Sequence, residues 1–176
     1  GCKESSGDCC DSWHRWPEDV ALLKELGFTD YRFSLEWSRI EPADGEFSTV
    51  ALDHYVRLCE GLLEAGIEPV VTFHHFTTPL WLADQGGWES DAMPERFATY
   101  CERAAARLDG VMKRACTINE PSMVSTIGYL WGAFPPGKQD RAARHRVNEV
   151  MVQSHRQGVA AIRASAPGVP VGITLA

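Results

Sequence analysis

Three groups of polar residues have types and spacing that suit chemistry on a bound small molecule. The most informative is Asn119-Glu120-Pro121, in which an amide stands beside a carboxyl group and a proline follows both. A carboxyl group can protonate a leaving group and later deprotonate water, which is general acid–base catalysis. The amide can bind a substrate hydroxyl without competing for that proton. Glu120 is therefore the candidate acid/base, while the alternative is that it only begins the next helix, where an acid favours the dipole.

The other two groups are His74-His75 and the segment 36–39, which begins with Glu36. All three groups directly follow, or end, a short run that is rich in β-branched and aromatic residues. Such runs occupy residues 31–37, 69–75, 114–119 and 171–176. The second and the last are almost continuously apolar, which is typical of parallel strands covered on both faces. The sequence therefore predicts that the polar groups lie at the carboxyl ends of strands.

Segments with helical spacing of apolar residues precede each predicted strand, at residues 17–27, 49–66, 94–108 and 141–166. Pro17 suits a first helical turn, and Gly27 and Gly66 suit helix ends. The alternation of helices and strands predicts an α/β fold with right-handed crossovers and a parallel sheet. A doubly wound sheet is the alternative, but no glycine-rich nucleotide-binding turn follows an early strand.

Active residues at strand ends favour a (β/α)8 TIM barrel. A complete barrel takes about 250 residues and eight strands. Four predicted strands in 176 residues therefore indicate an incomplete segment, with residues 1–176 forming part of one barrel domain.

Composition narrows the class of partner. Charged residues make up 23% of the chain and the net charge is −7, which argues against nucleic acids and anionic membranes. No apolar run approaches the ~18 residues of a membrane-spanning helix. Six cysteines, at positions 2, 9, 10, 59, 101 and 116, lack the spacing of a zinc site and favour reduced thiols in a cytoplasmic protein. The sequence indicates no oligomeric state.

Four blocks together resemble glycoside hydrolase family 1, the β-glucosidase family. Residues 117–121 match its Thr-x-Asn-Glu-Pro signature, and residues 31–42 resemble its Tyr-Arg-Phe-Ser-Ile-x-Trp-Ser-Arg-Ile-x-Pro block. Residues 71–79 resemble Val-Thr-Leu-x-His-Trp-x-x-Pro, and residues 86–88 match Gly-Gly-Trp. The blocks occur in the family's order and cover residues 11–137. The resemblance implies the barrel segment from the first helix to the fifth strand.

The resemblance also implies a role for each site residue. Glu120 would be the acid/base of a retaining β-glycosidase, Asn119 would bind the sugar 2-hydroxyl, and His75 would bind further hydroxyls of that sugar. Arg32 would lie beneath the site and pair with the nucleophilic carboxylate. The substrate would be a small β-glycoside, hydrolysed by double displacement without a metal or an organic cofactor. Structural alternatives are an ion-pair role for Arg32 and a core position for His75.

Two departures from the family's pattern bear on activity. Phe76 stands where the family usually has tryptophan, so an indole N–H donor is absent. More seriously, the nucleophile's Glu-Asn-Gly motif does not occur in the 176 residues, and Glu36 occupies a position that varies in the family. We therefore expect the isolated segment to be inactive. Alternatives are a 6-phospho-β-glycosidase, a noncatalytic sugar-binding relative, or a structural unit. Trp37, Trp88 and Trp131 either stack on sugar or pack in the core.

Overall fold

The computed structural model describes Gly7 and residues 9–176, so Cys2 lies outside the described residues. Four strands form one parallel sheet in the order β1-β2-β3-β4: β1 Asp30–Ser34, β2 Glu68–His74, β3 Arg114–Asn119 and β4 Val171–Thr174. A doubly wound sheet reverses its strand order, whereas this order runs in one direction. The segment is therefore part of a (β/α)8 barrel, as the sequence predicts.

Four long helices alternate with the strands: α1 Ser12–Glu25, α3 Thr49–Glu64, α5 Met93–Leu108 and α7 Arg141–Ser165. Shorter helical segments lie in the connections after β1, β2 and β3: α2 Trp37–Ile40, α4 Leu80–Asp84, a 3-10 turn Gly87–Glu89, α6 Pro121–Met123 and a π-helical turn Val124–Leu130. Within the part of the chain that the structure describes, no helix has both the length and the apolar character needed to cross a membrane.

Two predicted boundaries are wrong. Helix α1 begins at Ser12, so Pro17 lies inside it instead of in its first turn. The carbonyl of Asp11 begins the helix by accepting hydrogen bonds from the amides of His14 and Arg15, at 3.1 and 3.0 Å. Strand β1 ends at Ser34 instead of residue 37, because Glu36 caps helix α2 by accepting a hydrogen bond from its backbone.

One face of the sheet packs against the helices and forms the core. On that face Phe33 of β1 stacks near Tyr55 of α3, with ring centroids 6.4 Å apart. Tyr100 of α5 donates a hydrogen bond to the carbonyl of Phe73 at 2.9 Å. Because side chains alternate along a strand, the neighbours of Phe33, including Arg32, face the other way, toward the barrel interior.

An ion-pair cluster joins three strands at the end opposite the polar groups. Arg114 at the start of β3 contacts Asp30 of β1 at 2.7 Å and Glu68 of β2 at 2.6 Å. These half-exposed pairs hold the starts of the strands in register. These ion pairs therefore contribute to stability at the amino-terminal ends of the strands, whereas the candidate site residues lie toward the carboxyl-terminal ends.

Candidate active site

Asn119 is the centre of the site. Its Oδ1 accepts a hydrogen bond from Arg32 Nη2 at 2.5 Å and another from Thr174 Oγ1 at 3.0 Å. The residue itself is only 3% exposed. Two donors on one side of the amide define which atom is oxygen and which is nitrogen. The Nδ2 group, with its two N–H donors, is therefore the part of Asn119 available to a substrate oxygen.

A β-bulge turns Asn119 toward Arg32. Cys116 pairs with Gly172 and Asn119 with Thr174, so three steps along β3 correspond to two steps along β4. Thr117 faces the helices, since its Oγ1 lies 2.7 Å from a ring nitrogen of His155 on α7. Regular alternation would place Asn119 on that same face. The extra residue reverses the side and brings the amide to the interior, as bulges near active sites often do.

Glu120 has an unusual backbone conformation that fixes where its side chain begins. Its φ of 46° and ψ of 61° lie in the left-handed region, which a residue with a Cβ rarely adopts. Its amide donates to the carbonyl of Thr174 at 3.0 Å, and its own carbonyl accepts from Met123 at 2.9 Å. Neighbouring structure on both sides therefore imposes the strain, which is typical of functional sites. The side chain is partly exposed.

His75 lies within electrostatic reach of Arg32 and Glu120. Burial lowers the pKa of the His75 imidazole, the positive charge of Arg32 lowers it further, and the carboxylate of Glu120 opposes the shift. The ring is thus neutral near pH 7 and carries one N–H donor and one acceptor nitrogen. The structure brings together all four residues predicted for the site: Arg32, His75, Asn119 and Glu120.

A tight turn holds His75 in place. The amide of Thr77 donates to the carbonyl of His75 at 2.9 Å, and the intervening Phe76 has a φ of 69°. A positive φ in such a three-residue turn is rare and strained. The Phe76 ring packs edge-on against His75 at 4.7 Å and contacts Phe134 at 5.8 Å. Phe76 therefore forms an apolar wall beside the site, where an indole would have offered a donor.

The neighbouring His74 has a different environment. It is 1% exposed, its ring packs edge-on against Trp88 at 4.8 Å, and within the described part of the chain neither ring nitrogen has a hydrogen-bond partner of normal geometry. Burial, and then the neighbouring His75, lower the pKa of His74 to about 3, while the backbone of Thr77 acts in the opposite direction. His74 is accordingly a neutral core residue across the physiological pH range.

Glu36 is engaged in local structure. Its Oε1 accepts from the hydroxyl of Ser38 at 2.7 Å and from the Ser38 amide at 3.3 Å, and its Oε2 accepts from the hydroxyl of Thr77 at 2.9 Å. Both carboxylate oxygens therefore cap α2 or join the loops after β1 and β2. A nucleophile needs an oxygen free to attack, and Glu36 does not offer one in this arrangement.

The three tryptophans separate into two groups. Trp37 is 1% exposed and stacks on Tyr100 at 4.5 Å, and Trp88 is 2% exposed and donates from Nε1 to Thr78 at 3.2 Å. Both therefore pack in the core. Trp131 is 62% exposed and keeps a face available to a ligand.

Among the described residues, no group of three or more His, Cys, Asp or Glu side chains is placed to hold a metal ion. Sequence reasoning missed one site residue, Thr174, which fixes Asn119 through its hydroxyl and Glu120 through its carbonyl. The signal that could have found it is its position within the fourth predicted strand, residues 171–176, next to the strand that carries Asn119.

The family model of glycosyl hydrolase family 1 matches residues 2–176. The chain is 39% identical to a β-glucosidase of an Agrobacterium strain, covering 97% of this chain and 38% of that protein. It is 41% identical to the human cytosolic β-glucosidase over 77% of this chain and 29% of the relative. A Thermotoga maritima β-glucosidase solved with deoxynojirimycin superposes with a TM-score of 0.90 at 34% identity, over 93% of this chain and 37% of that one. The chain spans well under half the length of these relatives, and it belongs to glycosyl hydrolase family 1.

Proposed function

We propose that this chain carries the acid/base half of a retaining β-glycosidase site, acting on β-linked glucosides or related small β-glycosides. The observation that carries the proposal is the hydrogen bond from Arg32 to Asn119 Oδ1. It orients the Asn119 amide so that its N–H donors are free for substrate, directly beside Glu120. The β-glucosidase names of the relatives support the same substrate class.

In the proposed reaction, Glu120 protonates the glycosidic oxygen as the aglycone leaves. It then deprotonates the water that releases the sugar. Asn119 Nδ2 donates to the sugar 2-hydroxyl, a contact that strengthens as the ring becomes oxocarbenium-like. His75, neutral near pH 7 because burial lowers its pKa, binds a further hydroxyl as donor or acceptor. No metal or organic cofactor takes part.

Retention requires a second carboxylate about 5–5.5 Å from the first. Both oxygens of Glu36 already accept hydrogen bonds, which argues against that residue. We propose that the nucleophilic carboxylate comes from outside residues 1–176. Arg32 would keep this carboxylate ionised through the guanidinium N–H donors that do not bind Asn119. The 176-residue chain then performs no turnover by itself.

Hydrolysis of an aryl β-D-glucoside tests this proposal on two proteins, the 176-residue chain and the longest product of the gene that encodes it. We expect no turnover by the chain, and turnover by a longer product that contains a second carboxylate. Glu120-dependent hydrolysis by the 176-residue chain would contradict the division of the site. A longer product that carries both carboxylates but leaves β-glucosides intact would contradict the activity.

We further propose a cytoplasmic location. The human relative is named a cytosolic β-glucosidase, and Cys59 and Cys101 are buried thiols. Burial raises the pKa of Cys59 to about 12 and that of Cys101 well above its ordinary value, so both stay protonated and unreactive. Fractionation of the source cells tests the location, and recovery of the protein outside the cytoplasmic fraction would contradict it.

A further inference from the structure

Thr117 opens the Thr-Ile-Asn-Glu-Pro segment, yet its side chain faces away from the site. It is fully buried, and its Oγ1 lies 2.7 Å from His155 Nδ1 on α7 and 3.3 Å from the carbonyl oxygen of Gly172 on β4. The hydroxyl therefore contacts the covering helix and the neighbouring strand at once. No part of the proposed reaction uses this arrangement directly.

The number of hydrogens decides how the two contacts coexist. A threonine hydroxyl has one hydrogen and two lone pairs. The carbonyl of Gly172 can only accept, so the Thr117 hydrogen goes to Gly172. His155 must then carry its proton on Nδ1 and donate it to Thr117 Oγ1. Burial lowers the pKa of the His155 imidazole, and the charge of Arg156 lowers it further, so the neutral ring with a single N–H predominates near pH 7.

These contacts lie at the point where the bulge begins. Gly172 is the β4 residue that pairs with Cys116, and the register shift follows between Cys116 and Asn119. Thr117 is the first residue inside that interval, so its hydroxyl ties the bulged strand to β4 on one side and to α7 on the other. The bulge is what turns Asn119 into the interior and places Glu120 beside Thr174.

We infer that Thr117 and His155 are positioning residues, which hold the β3 bulge in the register that aims Asn119 and Glu120 into the site. The catalytic importance of this role rests on the proposed function. The geometric part does not, since the position of the Asn119 amide can be measured in a protein without turnover.

The test is NMR spectroscopy of the 176-residue chain, following the side-chain Nδ2 resonances of Asn119 and the backbone amide of Glu120. Thr117→Val removes both hydrogen bonds, and His155→Phe removes the ring donor while keeping an aromatic ring. His155→Asn restores an N–H donor near the Nδ1 position. Ser154→Ala is the matched control, because this buried α7 hydroxyl has no hydrogen-bond partner among the described residues.

We expect Thr117→Val and His155→Phe to shift both sets of resonances, with amides of α3 unchanged as evidence of folding. His155→Asn and Ser154→Ala should leave them at their wild-type positions, and the long-range ¹H–¹⁵N pattern of His155 should show a protonated Nδ1. The inference is overturned if His155→Phe leaves Asn119 and Glu120 unshifted, if His155→Asn shifts them as far as His155→Phe does, or if Nδ1 is unprotonated. Hydrolysis assays on the longer product test the proposed function separately, so the two can fail independently.

Discussion

Arg32 on β1 and Asn119 at the end of β3 are joined by a 2.5 Å hydrogen bond across 87 residues of chain. Strand β2 lies between these two strands, so the long guanidinium side chain reaches over it on the interior face. A charged donor to an amide oxygen is one of the stronger hydrogen bonds available to a protein. The contact fixes the orientation of the amide before any substrate arrives, which is preorganisation of the kind that catalysis requires.

Asn119→Asp tests the two ends of the Asn119 amide separately, the Oδ1 that binds Arg32 and the Nδ2 that is proposed to bind substrate. The aspartate keeps an oxygen for Arg32 and adds a charge that strengthens the pair, so we expect the thermal midpoint to stay equal or rise. It removes the Nδ2 donor, however, so we expect kcat/KM for a neutral aryl β-glucoside to fall about 10- to 100-fold in the longer gene product. Thermal unfolding and steady-state kinetics measure the two effects.

Thr174→Val is the control for that substitution. It removes the weaker contact to Oδ1 and leaves the Nδ2 donor in place, so its kinetic effect should be much smaller. If Asn119→Asp keeps wild-type kcat/KM, the assignment of Nδ2 as the substrate-facing donor is wrong.

His74→Phe should make the fold more resistant to acid. The pKa of His74 is about 3 in the folded chain, against about 6.5 in the unfolded chain. Below pH 6.5 the unfolded state therefore binds a proton that the folded state does not, and acidification favours unfolding. Between pH 7 and 5 this one group lowers the free energy of unfolding by about 2 kcal/mol. Phenylalanine keeps the aromatic contact with Trp88 and removes the titration.

Urea unfolding at pH 7 and pH 5 measures this difference, and the variant should lose about 2 kcal/mol less than wild type. Equal losses in wild type and in His74→Phe would show that the buried ring titrates normally.

Arg114→Gln should lower stability without disturbing the site. The side chain pairs with Asp30 and Glu68 at the amino-terminal end of the sheet. The hydroxyl of Thr29, and then Arg114, lower the pKa of Asp30, so its contribution to stability is present above about pH 4 and is lost as the pH falls through the lowered value. We expect a small drop in thermal midpoint at pH 7, with the Asn119 and Glu120 amide resonances unchanged. Movement of those resonances would refute the separation of the two ends.

The periodicity of the sequence predicts the four strands, the four long helices and the positions of His75, Asn119 and Glu120 at strand ends. Arg32, in the middle of strand β1, is assigned to the site only by the family resemblance. Position along the chain determines which end of a strand a residue occupies. The carboxyl ends of parallel strands all lie on the same side of the sheet, so residues at those ends come close together. The face on which a residue lies is a separate matter. Strict alternation of side chains would place Asn119 on the same face of the sheet as Thr117. Nothing in the local sequence marks the extra residue of the bulge that reverses this.

The backbone conformations of two site residues could not be predicted from the sequence either. Phe76 and Glu120 adopt positive φ although neither is glycine. The hydrogen bond from the Thr77 amide to the His75 carbonyl closes the turn around Phe76, and the Glu120 amide donates to the carbonyl of Thr174. These hydrogen bonds outweigh the local preference. Helix α1 begins earlier than its sequence predicts for a related reason. Pro17 suits a first turn by propensity, but the carbonyl of Asp11 already accepts the first helical hydrogen bonds. In each case a specific backbone hydrogen bond, in a turn, between strands or at a helix start, determines a conformation that residue preferences do not predict.

The most direct test of the proposed chemistry is Glu120→Gln in the longer gene product, compared on two classes of β-glucoside. A substrate with a poor leaving group needs a proton from the acid, whereas an activated aryl glucoside does not. We expect kcat/KM to fall much more for the substrate with the poor leaving group than for the activated substrate. Equal losses on the two substrates would contradict the assignment of Glu120 as the acid/base.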